Sequence, residues 1–192
     1  MKRQIETATV YTIGHGSRPV AELIELLKNA EIACVVDVRA YPASRRHPQF
    51  CREALKNSLA LAGIRYVWEG DALGGRRHGV KSSRHTALKS EGFRAYADHM
   101  MTVAYREGLR RVVDLGLKAR TAILCAERLP SHCHRNLIAD SLVACGHRVA
   151  HLVGPNQTLT HELSPLARHS GDNLVYDAMG QLDLALPPAS EG

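Results

Sequence analysis

The feature that most constrains this chain is an alternation: short, β-branched apolar runs take turns with longer stretches whose apolar residues recur at helical spacing. Residues 9–14 (TVYTIG) read as a first strand, after which Pro19 opens an amphipathic helix through VAELIELLKNA. Residues 33–39 (ACVVDVR) read as a second strand, with the unbroken apolar run of a strand buried on both faces. A helix at 51–63 stopped by Gly63 and a third strand at 64–70 come next. After them stand a fourth strand at 120–127, a helix at 134–146 and a fifth strand at 147–154. Residues 91–116 predict one long helix or two shorter ones, and the polar, basic, glycine-rich stretch 71–90 predicts a long loop. Such alternation predicts an α/β fold of Rossmann-like kind: one domain with a mainly parallel open sheet of five or more strands flanked by helices. The α/β domain is expected over residues 1–155. Residues 156–192 are expected to form an irregular C-terminal extension, because the pattern fades and Pro187, Pro188 and the final ASEG read as a tail.

Composition narrows the partners. With 192 residues and 45% hydrophobic content the chain can bury a substantial core. A net charge of +6 favours an anionic ligand, such as a nucleotide, nucleic acid or phosphorylated metabolite, although a mildly basic protein without such a partner has the same charge. Five cysteines, odd in number and scattered, do not make a disulfide framework and point to a reducing compartment. No apolar run approaches the roughly 20 residues that span a bilayer, and the N-terminus lacks the apolar stretch of a secretion signal. A cytoplasmic protein without a membrane partner is expected, and no protein partner is identifiable.

In an open parallel sheet, ligands gather at the carboxyl ends of the strands, where loops and helix N-termini converge. Unusual polar residues stand at those ends here. The first strand delivers Gly14, His15, Gly16 and Arg18. The two glycines suit either an anion cradle closed by Arg18 or a plain strand-to-helix turn, and His15 is a catalytic candidate. Asp37 closes the second strand, where an ionised carboxylate needs partners, so catalysis and pairing with Arg39 both explain it. Tyr41, Ser44 and Arg45, with Arg46 and His47, lie between two prolines that restrict the chain. They read either as a phosphate grip or as an exposed basic loop. Glu127 stands just past the fourth strand, where partial burial would suit it to acid, base or nucleophilic work, or to stabilising a sugar cation. His134 and Arg135 open the next helix, whose free amides favour an anion.

Cys125, His132, Cys133 and His134 invite a metal or thiol reading. Against it stand the lack of a paired CxxC and the difficulty of turning adjacent residues toward one ion, so neither a metal nor another cofactor is expected. A thiol-phosphatase loop is excluded, since the positions six beyond Cys125 and Cys133 are Ser131 and Ala139.

Taken together, TIGHGSR, DVRAYPASRRHPQF, LGG at 73–75 and CAERLPSHCHRNLIAD resemble the family catalogued as domain of unknown function 488, over roughly residues 9–153. The resemblance implies an α/β fold and an intracellular setting, and it ranks these motifs as the site. It names no substrate. The residues themselves lead to an enzyme acting on a nucleotide or nucleic acid, of hydrolase or glycosidase type. It would cleave an N-glycosidic bond with Glu127 and Asp37 while arginines clamp phosphate. Two alternatives stay open: a non-catalytic nucleic-acid-binding protein, and a metal- or thiol-dependent enzyme built on the cysteine–histidine cluster.

Overall fold

The computed structural model describes residues 6–177. In chain order the elements are β1 (Thr9–Gly14), α1 (Val20–Asn29), β2 (Cys34–Asp37), α2 (Arg52–Leu61), β3 (Arg65–Trp68) and α3 (Gly70–Leu73). They continue with α4 (Glu91–Met100), α5 (Val103–Lys118), β4 (Thr121–Cys125), α6 (Arg135–Ala144), β5 (Arg148–Gly154), β6 (Gln157–Thr160), β7 (Ala167–Ser170) and β8 (Asn173–Tyr176). One six-stranded sheet runs in the order β3-β2-β4-β1-β5-β6. Its first five strands are parallel, and β6 closes one edge antiparallel to β5. The sheet is the mainly parallel, helix-flanked one that the alternation predicts.

The pleat divides the strand side chains between two cores. Val10, Val36, Ile123 and Val149 face a layer made by α4, α5 and α6. Ile13, Val35, Leu124 and Leu152 face α1 and α2, whose Leu23, Leu27, Leu55 and Leu59 are fully buried. Both faces of the central strands are therefore covered, which is why those strands read as continuous apolar runs. The stretch 91–116 resolves into two helices, because Thr102 leaves the helical conformation and its side chain accepts from the Tyr105 N–H to cap α5.

Two expectations need correction in detail. Residues 71–90 are not loop throughout: α3 occupies Gly70–Leu73, and the segment after it is tethered. Arg77 donates to the carbonyls of Asp71 (2.6 Å) and Gly74 (2.8 Å), and the fully buried His85 accepts from the Tyr176 N–H (3.2 Å). Beyond residue 155, where the sequence pattern fades, the chain still forms β6 and the β7–β8 hairpin. These strands have four residues each, too few for a period to emerge, and β6 is exposed along its whole length. The tail at Pro187 and Pro188 lies outside the described residues.

A buried hydrogen-bond chain binds this C-terminal part to the sheet. Thr12 Oγ1 meets His151 Nδ1 (2.7 Å), His151 Nε2 meets His161 Nδ1 (2.9 Å), and His161 Nε2 meets Asp140 Oδ1 (2.9 Å). The Tyr176 hydroxyl donates to the other oxygen of Asp140 (2.9 Å). Asp140 accepts only, so His161 Nε2 carries the proton of that bond.

The topology also fixes where a site forms. The connection after β1 enters α1, in one layer, and the connection after β4 enters α6, in the other. Neighbouring strands whose connections leave to opposite faces open a crevice at their carboxyl ends. That switch point lies at Gly14 and Cys125, which are register partners.

Candidate reaction centre at the carboxyl rim

Cys125 ends β4 with its thiol buried, and Cys133 and His134 lead into α6. The thiols of both cysteines lie 3.8 Å from His134 Nδ1, and the three donor atoms are all within 4.8 Å of one another. Of the adjacent His132, Cys133 and His134, which were not expected all to face one ion, two do converge. Cys133 is extended (φ −134°, ψ 142°) and His134 helical (φ −57°, ψ −19°), and this change of backbone conformation brings neighbouring side chains together. His132 is exposed and takes no part. The two thiols share their acidity unequally. Cys133 is held well below the ordinary thiol range by its hydrogen bond with Cys125, helped by His134 and the Arg135 charge and opposed by burial. That same bond, followed by burial, pushes Cys125 well up.

The His134 ring is fixed by packing. Tyr96 lies at 4.9 Å between centroids, and Gly75 approaches so closely that a Cβ there would overlap Nδ1. The LGG segment is therefore a wall that only glycine can form. Gly74 runs equally close to Ala40, and the Tyr96 hydroxyl donates to the Leu73 carbonyl (2.9 Å). His134 Nε2 is buried without a hydrogen-bond partner among the described residues.

Next to this trio stands a second polar cluster. Asp37 is fully buried and accepts four hydrogen bonds: from Arg39 N (3.0 Å), Nε (2.8 Å) and Nη2 (2.5 Å), and from the Tyr66 hydroxyl (2.7 Å). Burial, together with the Asp37 charge, pushes the Tyr66 phenol up. Arg39 also donates to the Phe50 carbonyl (2.8 Å) and faces His15 Nε2 (3.3 Å). His15 stacks on Phe50 and binds Gly16 O through Nδ1 (2.8 Å), so its proton sits on Nδ1 and Nε2 faces the guanidinium. Burial foremost lowers its pKa to about 4, and it is neutral at neutral pH.

Several sequence expectations change against this geometry. The amides of His15 and Gly16 donate to the carbonyls of Cys125 (3.0 Å) and Ala126 (2.7 Å), extending the β1–β4 ladder rather than cradling an anion. Gly14 is required because a Cβ would overlap the Glu127 carbonyl, and Gly16 because its φ is +55°. Arg18 is buried, engaged by Glu22 (2.9 Å) and the carbonyls of Gly14 and Val153. Arg135 is buried and donates to the carbonyls of Glu127 and Arg128. With Arg39 on Asp37, three of the four arginines expected to clamp phosphate (Arg18, Arg39 and Arg135) bind the protein itself, and Arg45 stays exposed. Glu127 is exposed, so the partial burial expected of it is absent, and Arg135 takes its backbone oxygen instead of its carboxylate. Ser44 Oγ accepts from the His47 N–H (3.0 Å), which shapes the loop. Arg45, Arg46, Arg76 and Arg128 remain exposed, as does Tyr41 at 73%, with Arg76 over its ring.

The fold and this rim define an α/β protein with an open, doubly covered, mainly parallel sheet, carrying two buried cysteines and a half-buried histidine at its switch point. The chain belongs to the family described as Domain of unknown function DUF488, whose model matches residues 19–142. That span takes in Asp37, Arg39, Cys125, Cys133 and His134, whereas His15 precedes it. No curated protein and no solved structure matches the chain. Among the described residues no helix is long and apolar enough to cross a membrane.

Of the trio, only His134 is among the site residues expected from sequence, and neither cysteine is. The signal available was the spacing of CAERLPSHCHR: a cysteine closing a buried strand, a proline-bent loop, then Cys-His at a helix start. Gly75 had a signal only as part of the LGG motif at 73–75, and Tyr96 had none, since only the tertiary fold brings it to His134.

Proposed function

We propose that this protein is an enzyme whose reaction centre is the Cys125–Cys133–His134 trio. Its substrate is an anionic molecule of nucleotide class, drawn in by the exposed arginines of the rim. The observation that carries this reading is the convergence of two thiols on one imidazole nitrogen at the switch point of the sheet. The Cys133 thiol is held below its ordinary range by its bond with Cys125, beside a histidine and the amino end of α6, which is the environment of a reactive cysteine. The half-buried His134 forms the approach. Arg45, Arg46, Arg76 and Arg128 supply the positive charge that the buried arginines do not.

A second reading rests on a different observation. Glu127 is exposed and its carboxylate has no ion-pair partner among the described residues, so it is free to meet a ligand. Under that reading it cleaves an N-glycosidic bond of a nucleotide as acid or base. Both readings are tested by one set of variants. Cys133→Ser, His134→Ala and Glu127→Gln are assayed for turnover of mononucleotides and single-stranded oligonucleotides, beside the rate of alkylation by iodoacetamide. The thiol reading expects rapid alkylation of Cys133 and loss of turnover in Cys133→Ser with Glu127→Gln active. The reverse pattern selects the carboxylate. Salt-dependent oligonucleotide binding without turnover in any form would reduce the protein to a binding module.

A further inference from the structure

Resting on that reading of the trio as the reaction centre, we propose that Cys125, Cys133 and His134 hold a thiophilic divalent metal ion of the zinc class. The ion would have three protein ligands and a fourth position open to water or substrate. Four features of the geometry lead there.

The first is distance. A tetrahedral ion with Zn–S near 2.3 Å and Zn–N near 2.0–2.1 Å holds neighbouring nitrogen and sulfur ligands about 3.6 Å apart. Both sulfurs stand 3.8 Å from the same Nδ1, which is within the adjustment a rotamer makes. The second is stoichiometry of lone pairs. Nδ1 has a single bonding direction and cannot satisfy two thiols as hydrogen-bond partners, whereas one ion would engage all three donors at once.

The third is preorganisation. The ligands come from the end of a central strand and the start of a buried helix, and the imidazole is held between Tyr96 and the Gly75 backbone, with no hydrogen-bond partner at Nε2 among the described residues. The ring therefore keeps its aim without a ligand. The fourth is charge. Two thiolates and a divalent ion sum to zero, which suits a centre whose cysteines are 5% and 2% exposed. Each thiol that ionises releases its proton to solvent on binding. Three ligands from the protein, with His132 turned out to solvent, match the open pattern of catalytic sites rather than the closed pattern of structural ones.

The test uses the full chain, reduced and stripped of metal, titrated with Co²⁺ and then challenged with Zn²⁺. One equivalent of Co²⁺ is expected to give intense tetrahedral visible bands and a near-ultraviolet thiolate charge-transfer band, both erased by Zn²⁺. Cys125→Ser and Cys133→Ser, close in size to the native residue, should each weaken binding by at least about 100-fold, the upper end of losses seen for outer-shell partners. Because a variant that fails to fold would be silent, the thermal midpoint of the unaltered protein is followed as well, and it should rise with Zn²⁺. Weak octahedral bands without charge transfer overturn the proposal by placing the ion on surface histidines. No binding, with Cys133 still rapidly alkylated, overturns the metal while leaving the thiol centre standing. Neither binding nor alkylation removes both.

Discussion

Asp37 illustrates how a carboxylate at the end of a buried strand keeps its charge. Its partner Arg39 is two residues on, where the chain bends back and the guanidinium folds over the carboxylate it follows. That pairing was legible in the sequence, because an ionised group closing an apolar run needs a counter-charge and Arg39 was within reach. The Tyr66 contribution was not, since it comes from the neighbouring strand and depends on register. Asp37→Asn would leave the buried Arg39 charge unpaired and should cost about 3–5 kcal/mol of stability. Glu127→Gln, on an exposed and unpaired carboxylate, should stay within about 0.5 kcal/mol of the parent. Denaturant titration of the two variants distinguishes them, and equal midpoints would mean that Asp37 is not the structural charge its contacts describe.

At the scale of elements, the helices and the five parallel strands were readable because burial on one or both faces imposes a period on the residues. The elements that escaped are short or exposed. β6 to β8 have four residues each, and α3 is a single turn. The glycine motif at the end of β1 was located correctly but open to two explanations, and packing decides between them. Its amides complete the ladder with β4, and its missing side chain makes room for the Glu127 carbonyl. The loop between β4 and α6 shows the limit from the other side. Adjacency argued that His132, Cys133 and His134 would not all turn to one point, and His132 does stay out, but the turn from extended to helical backbone brings Cys133 and His134 together.

For the molecule as a whole, buried neutral histidines set a pH dependence. His15 and His151 titrate near 4 in the folded protein against 6.5 ordinarily, chiefly because burial disfavours the charged ring. His85, His99 and His147 shift in the same direction. A depressed histidine pKa means that the unfolded chain takes up protons first. Stability is therefore complete above about pH 6.5 and declines as pH falls toward 4. Thermal midpoints should drop through that window, with a shallower slope in His151→Gln, and a flat profile would contradict the assignment of neutral rings. The chain from Thr12 to Tyr176 has a further effect. Asp140 is a fully buried charge whose partners come from β8, from residues 161 and 164, and through two imidazoles from β1. Opening the hairpin alone would take the Tyr176 hydroxyl from that buried charge, so the hairpin, α6 and the central strands should loosen as one cooperative unit. In native-state hydrogen exchange the amides of Val175 and Tyr176 should share the opening free energy of Thr12 and Ile13. Early exchange confined to β8 would show instead that the C-terminal hairpin is a separate foldon.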